Sequence, residues 1–237
     1  MNIGLVGYGK MGQAIEQILI ERGHQVSKKI TIDNLRELND IKPDNTDVVI
    51  EFTSPESAFN NISTCLTNGV PVVSGSTGWL DRFAEVEALV DSKKGGFFYA
   101  SNYSLGVNIF FKLNEYLAKL MNGRAYDSSM VETHHIQKLD APSGTAITLA
   151  EGMMKQLDGK TAWVNEKTND ASKIGIVSER IENVPGTHDV SYSSEIDTIT
   201  ISHVAHSRKG FALGAVLAAE WLVGKSGVFS MNDLLEL

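Results

Sequence analysis

Residues 2–21 constrain the fold more than any other stretch of this chain. Ile3 to Val6 is a short apolar run suited to a buried parallel strand. It passes directly into Gly7-Tyr8-Gly9-Lys10-Met11-Gly12, a G-x-G-x-x-G pattern. Gln13 to Glu21 follows, with Ile15, Ile18 and Leu19 at helical spacing. Strand, glycine turn and helix in this order are the context in which the pattern binds a dinucleotide. Gly7 permits the tight turn, Gly9 lets the backbone approach a pyrophosphate, and Gly12 lets the helix pack on the strand. The helix start adds unpaired N–H groups and the positive end of a dipole. Gly7 to Gly12 are therefore expected to hold a dinucleotide cofactor.

Strands and helices keep alternating over the first hundred residues. Strands are predicted at Gln25–Ile32, Val48–Phe52, Val70–Val73 and Phe97–Ala100, with helices at Pro55–Asn68 and Asp81–Ser92. Repeated β–α units imply a parallel sheet covered by helices. Ligands of such sheets bind beyond the carboxyl ends of the strands. The residues placed there are Phe52 and Thr53, Gly75-Ser76-Thr77, and Ala100-Ser101-Asn102-Tyr103, and all are assigned to the cofactor crevice. Asp33, after the second strand, suits a ribose 2′-OH and hence NAD. Equally, it suits a cap for the turn at Asn34-Leu35-Arg36. Lys10, Lys28 and Lys29 suit the 2′-phosphate of NADP, so NADPH and NADH both stay open.

Composition excludes several classes. A net charge of −8 over 237 residues argues against a nucleic-acid surface. The one cysteine, Cys65, cannot form an intrachain disulfide and reads as a buried helix residue, which suits a reducing, cytoplasmic setting. The N-terminus shows no signal-peptide pattern. The longest apolar run, Phe211 to Leu222, contains Glu220 and is too short to span a bilayer.

After Asn102 the pattern changes. A long helix is predicted at Leu105–Met121, with Leu105, Ile109, Leu113, Leu117 and Leu120 along one face. Strands follow at Ser128–Thr133, Ile174–Ser178, His188–Tyr192 and Thr198–Val204, with a helix at Thr145–Leu157 between the first two. This reads as an α+β domain with a mixed, open sheet, whose free apolar face would mark an oligomer interface. The expected division is a Rossmann-like dinucleotide-binding domain over 1–102 and a substrate and oligomerisation domain over 103–210. The terminal segment, about 211–237, is expected to pack back on the first domain.

Glu132 to Ala146, E-T-H-H-I-Q-K-L-D-A-P-S-G-T-A, carries the chemistry. Ser143 is positioned to cap a helix that begins at Gly144 and Thr145, whose N–H groups would bind a carboxylate. A histidine titrates near neutrality and can act as a general acid, and Lys138 adds charge and a second proton. His134 and His135 would point to opposite faces of a strand, so both serve one site only if a turn intervenes. Adjacent histidines without a nearby cysteine or third histidine are poor zinc spacing, so no metal is expected.

These segments together resemble the dihydrodipicolinate reductase family. The likeness rests on G-Y-G-K-M-G, Phe52-Thr53, Gly75-Ser76-Thr77-Gly78, Ala100 to Asn108, and His-His-x-x-Lys-x-Asp-Ala-Pro-Ser-Gly-Thr. It extends to Arg180, Gly186-Thr187-His188, and Ser202-His203 with Ser207-Arg208. The chain departs from the family at Lys10 and Ser54, where arginine is usual. The resemblance implies hydride transfer from NADPH or NADH to C4 of a cyclic dicarboxylate, with loss of the 4-hydroxyl as water, in lysine and diaminopimelate biosynthesis. It further implies His134 as proton donor and acceptor, Lys138 as proton donor, and His135, Gly144 and Thr145 as carboxylate ligands. A homotetramer is implied as well. Two other classes fit less of the sequence. Another nicotinamide-dependent oxidoreductase on this frame, such as a semialdehyde dehydrogenase, needs a cysteine after a strand. A non-catalytic dinucleotide sensor has no use for the histidine–lysine motif.

Overall fold

The computed structural model describes residues 1–207 and 209–237; Arg208, one of the residues that carry the family resemblance, lies outside the described residues. The chain opens with β1 (Asn2–Val6), α1 (Lys10–Glu21), β2 (Gln25–Ile30), β3 (Val48–Glu51), α2 (Pro55–Thr67), β4 (Val72–Ser74), α3 (Phe83–Lys93) and β5 (Gly96–Tyr99). It continues with α4 (Leu105–Met121), β6 (Asp127–His134), α5 (Gly144–Met154), β7 (Ala162–Val164), β8 (Lys173–Arg180), β9 (Gly186–Ser193) and β10 (Thr198–Ala205). It ends with α6 (Lys209–Leu222), β11 (Gly227–Phe229) and α7 (Met231–Leu235). Two compact units result. One is Met1–Leu105 with Lys209–Leu237, and the other is Gly106–Arg208.

The first unit is an α/β layer structure. Its sheet runs β2-β1-β3-β4-β5-β11, parallel throughout. The strand order reverses between β1 and β3, the switch point at which doubly wound sheets open a ligand crevice. Strands buried on both faces need apolar residues on both, and Ile3, Leu5, Val48 and Ile50 pack with α1 and α6 while Val6, Val49 and Val72 pack with α2 and α3. Cys65 lies in this second layer, fully buried, its thiol pushed up to about 12 by burial. It is a core residue, as its sequence setting indicated. On the other layer, a Cβ on Gly214 of α6 would lie 1.7 Å from the Tyr103 carbonyl oxygen, so only glycine allows the helix so close. Glu220 of α6 accepts from Arg22 and bonds His24, each at 2.7 Å.

The second unit is a mixed sheet, β10-β9-β6-β8-β7. β6 pairs in parallel with β8 and antiparallel with β9. Met130, Ile176, Val190 and Tyr192 point to α4 and α5, where Phe110, Ala118, Leu149 and Met153 close the core. The strict alternation of buried and half-buried residues along β9 records a sheet with one packed face.

Three local expectations are corrected. β2 stops at Ile30 rather than Ile32, because Asn34 Oδ1 accepts from the Thr31 amide at 2.7 Å and turns the chain. α4 buries Val107, Phe110, Asn114, Ala118 and Met121, and of the leucine stripe Leu105 and Leu117 are only partly buried against the core. Ile109, Leu113 and Leu120 are exposed, as is Tyr116. Asn114 can be buried because its side-chain amide donates to the Leu149 carbonyl at 2.9 Å. The free sheet face is not an apolar one either. Half-buried Val131 and Val177 sit among Ser129, Thr133, Asp189 and Ser191.

Candidate active site

The crevice of the first unit lies at the β1–β3 switch point, a cleft of about 520 Å³ lined by Gly7, Tyr8, Gly9, Thr31, Ile32, Phe52, Thr53, Ser54 and neighbours. Gly7 has φ +92°, and a Cβ there would lie 1.9 Å from the Phe52 carbonyl oxygen, so glycine is required by both conformation and space. A Cβ on Gly12 would lie 2.3 Å from the Gly7 oxygen, which fixes α1 against the turn. Gly9 differs: no described residue lies within 4 Å of its missing Cβ. Its backbone is therefore open to close approach by a ligand at the helix start, as the glycine at the third position of this pattern allows. The first N–H groups of α1 have no intrahelical partner by construction. The site therefore fits a dinucleotide pyrophosphate.

Glu51, at the end of β3, was not singled out from sequence. It is fully buried, and its carboxylate accepts from Ser74 Oγ at 2.6 Å, Ser76 Oγ at 2.8 Å and the Thr53 amide at 3.0 Å. The Thr53 hydroxyl also donates to it. This carboxylate ties the tips of β3 and β4 together. Gly75 has no room for a side chain, because a Cβ there would lie 2.0 Å from the Phe52 ring. Thr77 and Ser101 are exposed, Asn102 is half-buried and Ala100 is buried. Tyr103 is buried, its hydroxyl donating to the Ser74 carbonyl at 2.7 Å, so its side chain braces the strands. Lys10 and Met11 begin α1 and do not line the cleft.

The charged groups near β2 are already engaged. Lys29 pairs with Glu16 at 2.6 Å and sits over the Tyr8 ring, while the Tyr8 hydroxyl donates to Glu16. Lys28 faces Glu37 and Asp40. Asp33 is exposed, does not line the cleft, and does not cap the following turn, whose cap is Asn34.

In the second unit the sheet register builds a buried polar cluster. Glu132 and His134 are two residues apart on β6 and therefore share the packed face. The register sets His188 of β9 opposite Glu132 and Arg180 of β8 beside His134. His134 Nδ1 lies 2.7 Å from Glu132 Oε2, an ion-pair contact whose angle falls short of a hydrogen bond. Glu132 Oε1 accepts from Arg180 Nη2 at 3.1 Å and from the Ser143 amide at 3.2 Å. Burial opposes ionisation of Glu132, yet these partners outweigh it and hold the carboxyl far below its usual range. The His134 ring meets the His188 ring edge-on at 5.2 Å.

Ser143 caps α5 as expected, its Oγ accepting from the Ala146 amide at 3.2 Å. The same hydroxyl bonds His188 Nε2 at 3.1 Å. Gly144 is exposed, with open space where a side chain would stand, and Thr145 is half-buried. β6 ends at His134, and a turn closed by the Lys138 amide on the His135 carbonyl redirects the chain. His135 is thus freed from the opposite strand face. It lines a cavity of about 420 Å³ with Gln137, Glu182 and Pro185. Lys138 Nζ meets the Asp140 carboxylate at 2.8 and 2.9 Å. Arg180 reaches the carbonyls of Lys138 at 3.3 Å and Asp140 at 2.7 Å, so one guanidinium ties this loop to Glu132.

Glu132, His134 and His188 place three potential metal ligands within 4.8 Å. The third histidine absent from the local sequence is supplied by β9. Arg180 balances the Glu132 charge and His188 Nε2 bonds Ser143, while Glu132 Oε2, His134 Nδ1 and His188 Nδ1 make no hydrogen bond among the described residues.

Burial, followed by the positive influence of His134, lowers His188 from its usual 6.5 to about 4. The unfolded chain takes up a proton here near the ordinary imidazole range, whereas the folded chain resists down to about pH 4. The unfolded state then binds more protons in that window, and stability rises with pH across it. We expect denaturant midpoints to fall between pH 6.5 and pH 4, and to fall less in a His188→Gln variant.

A Rossmann unit with a dinucleotide crevice, accompanied by an α+β unit bearing a buried cluster of Glu132, His134, Arg180 and His188, is the architecture of a dinucleotide-dependent oxidoreductase. Family profiles for "Dihydrodipicolinate reductase, N-terminus" and "Dihydrodipicolinate reductase, C-terminus" match residues 1–103 and 106–235. The chain belongs to the dihydrodipicolinate reductase family. It is 50% identical over 237 residues to a 4-hydroxy-tetrahydrodipicolinate reductase of Christiangramia forsetii, covering 99% of this chain and 98% of the relative. Among solved structures, a dipicolinate-bound dihydrodipicolinate reductase from Paenisporosarcina sp. TG-14 superposes with a TM-score of 0.80 at 22% identity, over 98% of each chain. An amine dehydrogenase from Mycobacterium smegmatis shares the fold, with a TM-score of 0.63 at 11% identity over 96% and 94% of the chains.

Proposed function

We propose that this chain reduces 4-hydroxy-tetrahydrodipicolinate to tetrahydrodipicolinate, with loss of water, in the diaminopimelate route to lysine. The full-length 50% identity to a reductase of that name carries the reading. The net reaction adds one hydride at C4 and one proton, and the 4-hydroxyl departs as water. A bound NADPH or NADH supplies the hydride. Residues Gly7 to Gly12 would cradle its pyrophosphate, with Thr53, Ser76 and the strand-end backbone of Gly75, Thr77 and 100–103 toward the rest. Asp33 would contribute only through movement of its turn, and Lys28 and Lys29 only by leaving their carboxylates.

His134 supplies the proton in this reading. Its Nε2 makes no hydrogen bond among the described residues, and Gly186 leaves space beside it: a Cβ there would lie 3.0 Å away. The N–H groups of Gly144 and Thr145 receive one substrate carboxylate, and His135 and Lys138 receive charge at the other side. Asp140 holds the Lys138 ammonium until an anion competes for it. Lys138→Ala should lower turnover and raise substrate KM together, while cofactor affinity, read by fluorescence titration, stays at the wild-type value.

The domains in this reading are a cofactor domain over 1–102, completed by about 211–237, and a substrate domain over 103–210. A cytoplasmic location and a homotetramer belong to it too. The exposed apolar stripe of Ile109, Leu113, Tyr116 and Leu120 on α4 supports self-association. Light scattering on the purified chain tests it. The activity is tested by coupling to a dihydrodipicolinate synthase, which generates the unstable substrate from pyruvate and aspartate semialdehyde. NADPH and NADH oxidation are followed in parallel. Substrate-dependent oxidation is the expected result, and the two rates give cofactor preference. Folded protein that binds a cofactor but oxidises neither would reject the reading.

A further inference from the structure

We infer that Glu132 is a positioning residue that couples the proton donor to the carboxylate cradle, an inference that rests on the reductase reading above. Glu132 is fully buried, on the inner face of a strand, where an isolated carboxylate would be strongly disfavoured. Its two oxygens divide the work. Oε1 takes Arg180 and the Ser143 amide, the residue that begins α5 and so places the N–H groups of Gly144 and Thr145. Oε2 faces His134 Nδ1 at 2.7 Å. An imidazole nitrogen that close to an ionised carboxylate must carry its hydrogen, because two lone pairs would repel. The proton that moves must then sit on Nε2, which faces no carboxylate and makes no hydrogen bond among the described residues. This is the orienting role a carboxylate plays behind a working histidine.

The arrangement makes one prediction that a merely structural carboxylate does not. Loss of Glu132 should act through His134. Glu132→Gln should lower kcat by roughly 10- to 100-fold, the usual cost of removing such a partner, with cofactor affinity unchanged. In a His134→Ala background the same substitution should cost nothing further, since residues acting as a unit are not additive. Glu132→Asp, which keeps the charge, should recover part of the lost kcat. Nitrogen-15 spectra of the histidine rings should show neutral His134 of the wild type as the Nδ1–H tautomer, and a mixture of tautomers in Glu132→Gln.

Wild-type kcat in Glu132→Gln would overturn the inference while leaving the reductase reading intact. Equal losses in the wild-type and His134→Ala backgrounds would do the same, as would an Nε2–H tautomer in the wild type. If Glu132→Gln fails to fold, the wild-type spectrum and Glu132→Asp decide the matter. A wild-type chain with no turnover would instead sink the reductase reading, and the ring spectrum alone would then judge the Glu132–His134 pairing.

Discussion

His134→Ala should reduce kcat by about 10²-fold or more, the contribution expected of a general acid placed on its substrate. The substitution removes the ring but leaves what surrounds it. Ser143 still caps α5, Arg180 still holds Glu132, and the glycine turn at residues 7–12 lies in the other unit. Substrate KM and cofactor affinity should therefore change far less than kcat, the pattern of a group that matters in the transition state. Steady-state measurement in the coupled assay separates the two. Turnover near the wild-type level would remove His134 from its role. A large rise in KM at constant kcat would make it a ligand rather than an acid.

Arg180→Ala should strongly destabilise the second unit. It strips the cation from a carboxylate with no exposure, and breaking such a pair leaves a buried charge uncompensated. The Arg180 side chain keeps about a fifth of its exposure, so a loss of about 3 kcal/mol, the lower end of the range for buried pairs, is expected. Urea denaturation followed by tryptophan fluorescence measures it. The carbonyls of Lys138 and Asp140 lose their donor at the same time, so the loop carrying the lysine loosens and activity falls with stability. Arg180→Lys should recover little, because a single ammonium cannot reach the carboxylate and both carbonyls in the planar fork geometry. A variant as stable as the wild type would show that Glu132 takes up a proton or that water replaces the guanidinium.

Much of this could be read from residue order. The glycine turn was legible because the three glycines answer to three separate spatial demands, and α5 because Ser143 precedes it with the right chemistry. The buried cluster around Glu132 was legible only in part. Glu132 stands two residues before His134 in a predicted strand, and that spacing alone puts both on one face; a charged residue facing a core was the signal to follow. His188 and Arg180 arrive through strand register, which depends on which strands pair and is not written in local periodicity. The α4 stripe misled for a related reason. Leucines at helical spacing mark an apolar face but not which face the fold covers, and Asn114 shows the covered one to be partly polar. β2 ended short of Asp33 because Asn34 competes for the backbone of Thr31, a side-chain turn that strand propensity does not weigh.

The return of α6 and β11 to the first sheet has a consequence for biogenesis. β11 is the edge strand beside β5, and α6 covers one face of the same sheet, yet both are made after the whole of the second unit. A ribosome therefore releases Gly106–Arg208 as a continuous stretch whose strands pair only among themselves, while the nucleotide-binding sheet still lacks a strand and a helix. The later-made segment closes an apolar face that would otherwise stand open to other chains. Completion of the cofactor unit is thereby tied to completion of synthesis, and a nascent chain stopped short of residue 209 would carry the buried Glu132 cluster while the first sheet was still unfinished.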